Sequence, residues 1–166
     1  MSFDAFMQID GIKGDSTDDA HKDWIEILAF RHSAKQATGG SLSAQGTHAG
    51  GRVTMGDFHI VKKLDVGSPT LFLRACDGKP IPQVVIELCR AMGEKTVFMK
   101  YTLKDVIVSS VEPSGSSEGE DLIPTEEVEF RSAEYHLEYT PTDPTGGGKT
   151  GPAVQTGWST LINKAL

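Results

Sequence analysis

A chain of 166 residues is long enough to bury most of its unfolded surface as one domain, and 38% apolar residues supply a core. Sixteen basic against twenty-three acidic side chains leave a formal charge of −7, a sign that opposes phosphate backbones and anionic lipid heads and so argues against nucleic-acid and membrane-surface partners. No stretch approaches the roughly 18–20 consecutive apolar residues of a membrane span. Residues 1–10 lack a basic stretch ahead of an apolar run, so synthesis in the cytoplasm without a cleaved secretory signal is expected.

Along the chain, period-two patterns outweigh helical ones. Residues 5–12 read as a first strand, followed by the polar turn Gly14-Asp15-Ser16-Thr17-Asp18-Asp19. Residues 23–35 read as a second. Ile25, Ile27 and Ala29 share one face while Trp24, Leu28 and Phe30 share the other, so this strand is expected to be covered on both sides. Residues 37–51 (ATGGSLSAQGTHAGG) hold nothing that could form a packed core and read as one long loop, a length that in compact domains is usually functional or mobile. Residues 52–63 resume the extended pattern.

The one helix expected covers Ser68–Asp77. Ser68 can cap it, Pro69 suits its first turn and Gly78 supplies a left-handed exit. Leu71, Phe72, Ala75 and Cys76 fall on one apolar face, expected to plug an opening of the sheet assembly. Residues 81–92, 96–111 and 125–140 read as three more strands. In the last, Val128 and Phe130 have one parity and Tyr135, Leu137 and Tyr139 the other, so a bulge near residues 132–134 is expected. A Gly/Pro/Thr-rich loop at 140–157 leads to a short final segment, 158–166. The expected fold class is all-β with one α-helix, a small barrel of two antiparallel sheets with the helix at one end, in a single domain over residues 1–166.

Candidate chemistry is sparse. Gly146-Gly147-Gly148-Lys149-Thr150 has the look of a phosphate loop's end, but Asp143 stands where the first glycine belongs, and Pro152 and Gly157 leave no helix to follow. The histidines at 21, 32, 48, 59 and 136 show no metal-ligand spacing. Cys76 and Cys89 are too few for a disulfide framework and read as small buried hydrophobes. No Gly-x-Ser-x-Gly turn is present. Glu127, Glu129, Glu134 and Glu138 are better explained as a solvated or interface face than as acid–base pairs, and Lys62-Lys63 is too small a basic cluster for nucleic acid. No enzyme activity and no cofactor are expected.

Two separated blocks carry a family resemblance. Phe3-Asp4-Ala5-Phe6-Met7-Gln8-Ile9-Asp10-Gly11-Ile12-Lys13-Gly14-Asp15-Ser16, with His21-Lys22-Asp23-Trp24-Ile25-Glu26-Ile27 behind it, resembles the opening of the Hcp family, the haemolysin-coregulated proteins of bacterial type VI secretion. Asp57-Phe58-His59-Ile60-Val61-Lys62-Lys63-Leu64-Asp65, then Ser68-Pro69, Leu71, Ala75-Cys76 and Gly78, agrees with it. The resemblance implies a β-barrel with one helix that closes into hexameric rings. It implies rings stacked into a secreted tube beneath a spike protein and inside a contractile sheath, with effector proteins carried in the lumen. A ring-shaped carrier or chaperone for effectors, with no obligatory tube, is the alternative.

On that footing the 37–51 loop is the candidate ring–ring contact, through Thr38, Gly39, Gly40, Ser41, Leu42, Ser43, Gln45, Thr47 and His48. Trp24, Leu28, Val85 and Cys89 are candidates for the contact between subunits. Arg31, His32 and Ser33, where many members have a Ser- and Trp-containing stretch, are candidates to face the lumen.

Overall fold

The computed structural model describes residues 2–38, 50–91 and 95–166. Among these residues, eleven strands and one helix follow in order: β1 (Phe3–Ile9), β2 (Ile25–Ile27), β3 (Ala29–Arg31), β4 (Ala34–Thr38), β5 (Gly50–Met55), β6 (Phe58–Lys63), α1 (Ser68–Asp77), β7 (Ile81–Arg90), β8 (Val97–Ser114), β9 (Thr125–Tyr139), β10 (Val154–Ser159) and β11 (Lys164–Ala165). All pairings are antiparallel. One sheet runs β2–β1–β7–β8–β9–β10–β11, with β6 attached to the first part of β9 and β3 attached to β6, and a second sheet is the β4–β5 hairpin alone.

The expected two-sheet, one-helix class is therefore found, but the ladders do not close into a continuous barrel. The path β2–β1–β7–β8–β9–β6–β3 ends on two strands that follow one another in the chain and pair with different neighbours. Leu28 lies between them, its N–H donating to the Val61 carbonyl at 2.8 Å. The strand expected over 23–35 is thus broken at Leu28, because its two halves serve opposite sides of the fold. The core fills the space inside this path. Met7 of β1, Phe58 and Ile60 of β6, Val84 and Ile86 of β7, Val106 of β8, Val128 and Phe130 of β9 and Leu71 of α1 have no exposed surface.

The helix occupies the expected residues, with differences at its ends and face. Gly67 is its N-cap, Ser68 and Pro69 occupy the first turn, and the Ser68 hydroxyl is drawn into another network. Gly78 closes the helix at φ 64°, its N–H donating to the Arg74 carbonyl. Only Leu71 is fully covered and Ala75 partly; Phe72 and Cys76 point to solvent, so half of the expected plug is surface. A side chain in the core is reserved for the position nearest the sheet axis, and a helix lying against one strand covers a narrow stripe.

β8 and β9 form the longest pairing. The parity change expected near residues 132–134 is present: Phe130 and Ser132 are buried, and so is Tyr135. It does not appear as a register shift between the strands, because β8 changes parity at the same step. Leu103 and Val106 are both buried, and Asp105 between them has φ 58°. Lys104 stays opposite Glu134 and Val106 opposite Ser132, and the register shift in this ladder lies between Val108 and Ser110. Two further expectations are corrected at the loops. Thr38 and Gly50 pair in the β4–β5 ladder, so the 37–51 loop begins and ends within strands. The 140–157 loop contains most of β10, which pairs with β9 from Val154↔Tyr139 to Ser159↔Glu134.

Candidate functional site

The constellation closest to an active centre surrounds His21. The turn before β2 places it against β1 and β7, stacked on Phe6 at 4.2 Å and edge-on to Trp24 at 4.8 Å. Its Nδ1 lies 2.8 Å from Asp18 Oδ2 and its Nε2 2.9 Å from Glu87 Oε2, with Cys89 Sγ at 3.9 Å from Nε2. Lys95 bonds Asp18 and lies 3.3 Å from Asp4, and its hydrogen bond, ahead of that from His21, holds the Asp18 carboxyl below the usual carboxylate range. Thiol, imidazole and carboxylate in contact are the parts of a nucleophilic centre. Cys89, however, has no exposed surface, and burial pushes its thiol up to about 11, so the thiolate that would attack is missing at neutral pH. The cluster instead ties the turn to the sheet.

A second buried network escaped the sequence reading. Lys62, fully buried, places Nζ 2.5 Å from Glu126 Oε1 and 2.9 Å from Asp65 Oδ1, and the Ser68 hydroxyl donates to the same Glu126 oxygen at 2.6 Å. The signal was available. Lys62 shares the parity of Phe58 and Ile60, and Glu126 that of Val128 and Phe130, so alternation alone aims both charges inward. The four glutamates weighed as acid–base pairs are engaged separately: Glu127 with His59 at 2.7 Å, Glu129 with Arg31 at 4.0 Å, Glu134 with His136 at 3.2 Å and Glu138 with Gln155 at 2.5 Å. Among the described residues no group of three or more His, Cys, Asp or Glu side chains is placed to hold a metal ion.

The chain leaves several surfaces unfinished. β3 pairs on one side with β6, and β8 beyond Val106 pairs on one side with β9; among the described residues no strand lies against the other edge of either. Arg31 and Ser33 are exposed near the β3 edge, whereas His32 turns inward, stacked on Phe58 at 5.3 Å and Tyr135 at 4.8 Å, and burial lowers its pKa. Of the residues considered for subunit contact, Leu28 is 54% exposed and Trp24 is half-buried, while Val85 and Cys89 are already covered within the chain and leave a neighbour little to bury. Of the loop candidates, Thr38 lies in β4; Gly39, Gly40, Ser41, Leu42, Ser43, Gln45, Thr47 and His48 lie outside the described residues. The β4–β5 arm touches the body where the Arg52 guanidinium donates to the Thr160 carbonyl at 3.2 Å.

Known proteins share this arrangement. The family described as "Type VI secretion system effector, Hcp" matches residues 6–139. Protein hcp1 of Pseudomonas aeruginosa is 35% identical over 164 residues, covering 98% of each chain. A solved type six secretion system protein superposes with a TM-score of 0.90 at 34% identity, over 99% of this chain and 100% of the other. Hcp1 from Salmonella typhimurium does so with 0.82 at 32% identity, over the whole of both chains. The family match over residues 6–139 and the full-length likeness to these proteins lead to one conclusion: the chain belongs to the Hcp family of type VI secretion proteins.

Proposed function

We propose that this chain closes head to tail into a six-membered ring and that its rings stack into the inner tube of a type VI secretion machine. The supporting observation is the four-strand patch β3–β6–β9–β8, which ends on an edge free of any strand partner at both margins among the described residues. A strand edge left open invites pairing with another chain. The two margins differ, which is what a heterologous contact that closes by rotation requires. Helix α1 lies beside β8 and adds exposed Phe72 and Leu73 to that margin. Joining the β3 margin of one copy to the β8–α1 margin of the next covers both.

In this reading Arg31 and Ser33 face the lumen, and the β4–β5 arm meets the next ring. Assembly in the cytoplasm precedes secretion, with the spike, the sheath and lumen-borne effectors as the other partners. A second reading, a ring-shaped effector carrier that makes no tube, draws on the charged group of Arg31, Glu129, Arg131 and Asp57 around His32. Stacking of rings separates the two.

Light scattering should give about six times the 17.9 kDa chain mass, and negative-stain images should show rings. Leu73→Glu places a charge in the proposed subunit contact and should shift the protein to monomer with its strand content intact. An unmodified protein that stays monomeric at micromolar concentration would overturn the ring.

A further inference from the structure

From Ala34 to Met55 the sequence carries Lys35, Arg52 and His48 and not one carboxylate, in a chain of net charge −7. Among the described residues, β4 and β5 at the two ends of this stretch pair only with each other. Among the described residues, Lys35 is exposed and has no ionic or hydrogen-bond partner, and the Arg52 side chain has the Thr160 carbonyl as its one hydrogen-bond partner. The arm is therefore a cationic projection from an anionic body.

The opposite end of the same strands is acidic. β3 runs from Leu28 toward the arm, and β6 returns from the arm to Lys63, which faces Thr125 across the ladder. Leu28 and Ala34 are six residues apart, with β3 between them, a reach of at most about 20 Å. At the Leu28 end, two adjoining depressions share Leu28 and Glu26 as lining. Five carboxylates (Asp4, Asp15, Asp18, Glu26 and Asp65) and two ammonium groups (Lys63 and Lys95) line them, a net of −3. Asp4, Asp18 and Asp65 are committed to Lys95 and Lys62, and Asp15 accepts from the Val66 N–H. Glu26 is exposed and has no partner among the described residues. The floor between these charges is apolar, with Leu28 at 54% and Ile123 at 46% exposure.

We infer that this depression around Glu26 and Leu28 is the receptor for the β4–β5 arm of a second copy in the next ring, with Lys35 and Arg52 seated over its carboxylates. The inference rests on the stacked-ring reading and adds to it a polarity: each ring gives arms from one end and receives them at the other. Apolar residues and unpaired charge lie at the receiving end, uncompensated cations lie on the giving end, and the strands between hold the two apart. Charges at such a rim set specificity and salt dependence, and six equivalent contacts acting together multiply a small effect at each.

The test uses full-length protein at low salt, with light scattering to count subunits per ring and electron microscopy to measure stack length. Glu26→Lys should leave rings whole and reduce ring–ring affinity by tenfold or more, and Lys35→Glu with Arg52→Glu should do the same. Combining the three changes should restore stacking. Mixing Glu26→Lys rings with arm-variant rings should yield stacks in which the two kinds alternate, since each contact is then either the native pair or the pair restored in the triple variant. Wild-type stacks unaffected by Glu26→Lys, or a triple variant no better than either parent, would overturn the inference while leaving the tube reading in place. Loss of the ring itself in the arm variant would place the arm between subunits and overturn it as well. Wild-type rings that never stack would overturn both.

Discussion

Lys62 illustrates what one residue does in this fold. Its ammonium is fully buried and meets Glu126, Asp65 and Ser68, so strand β9, the turn before α1 and the helix start are held at one point. Removing one member of such a pair leaves an uncompensated charge in a low-dielectric site, which costs about 3–5 kcal/mol, whereas replacing both with apolar groups is often neutral. Lys62→Met should therefore lower the urea midpoint sharply, and Lys62→Met with Glu126→Leu should recover most of the loss. A single variant as stable as the parent would show that the brace contributes little. The sequence contains this site in its alternation, yet charged side chains are so seldom buried that residue type outweighs parity in any first reading. His21 was harder still. Its partners Asp18 and Glu87 are 69 residues apart, and only the folded register brings Glu87 of β7 opposite Phe6 of β1.

At the scale of elements, α1 was legible to the residue because Pro69 and Gly78 mark its ends by their own backbone limits. The strands β7, β8 and β9 were legible to within a few residues from their alternation. β10 was not, since Gly151 and Pro152 ahead of it and Gly157 within it hide a strand whose pairing is supplied by β9. The turn leading into β2 depends on a close approach that no pattern announces. Gly14 donates its N–H to the Asp23 carbonyl at 2.8 Å, and a Cβ built there would lie 2.3 Å from the Trp24 carbonyl oxygen. Gly14→Ala must push the turn off the sheet and loosen His21 with it. We expect a loss of about 2–4 kcal/mol in thermal or denaturant unfolding. An unchanged midpoint would mean that the turn shifts freely.

For the molecule as a whole, membership of the Hcp family was readable from two sequence blocks, while the surfaces that serve assembly needed coordinates. Edges become visible only when every ladder is placed, and the break at Leu28 that separates β2 from β3 has no local signature in an otherwise apolar run. The same map predicts where the fold opens first. Among the described residues, β7, β8 and β9 each have partners on both sides over much of their length, whereas β4 and β5 pair only with each other. Hydrogen exchange on the isolated ring should be slowest in residues 84–89, 101–108 and 128–136 and fastest in 34–38 and 50–55. Equal protection in the arm would mean that it is already covered within the ring.

The paired irregularity at Asp105 and Ala133 sets a rule for how this protein can change length. Each strand takes in one additional residue at the same level, and across that shared step Val106 and Val108 on one strand, and Tyr135 on the other, are turned toward the interior. Deleting Asp105 by itself would leave Leu103, Val106 and Val108 in plain alternation, all turned toward the interior, with Ala133 as an unmatched bulge residue on β9. Shortening both strands together would remove the corner but leave them matched. A change of one residue elsewhere in the ribbon turns the downstream side chains inside out, so viable changes of length in these strands should collect at the level of Asp105 and Ala133.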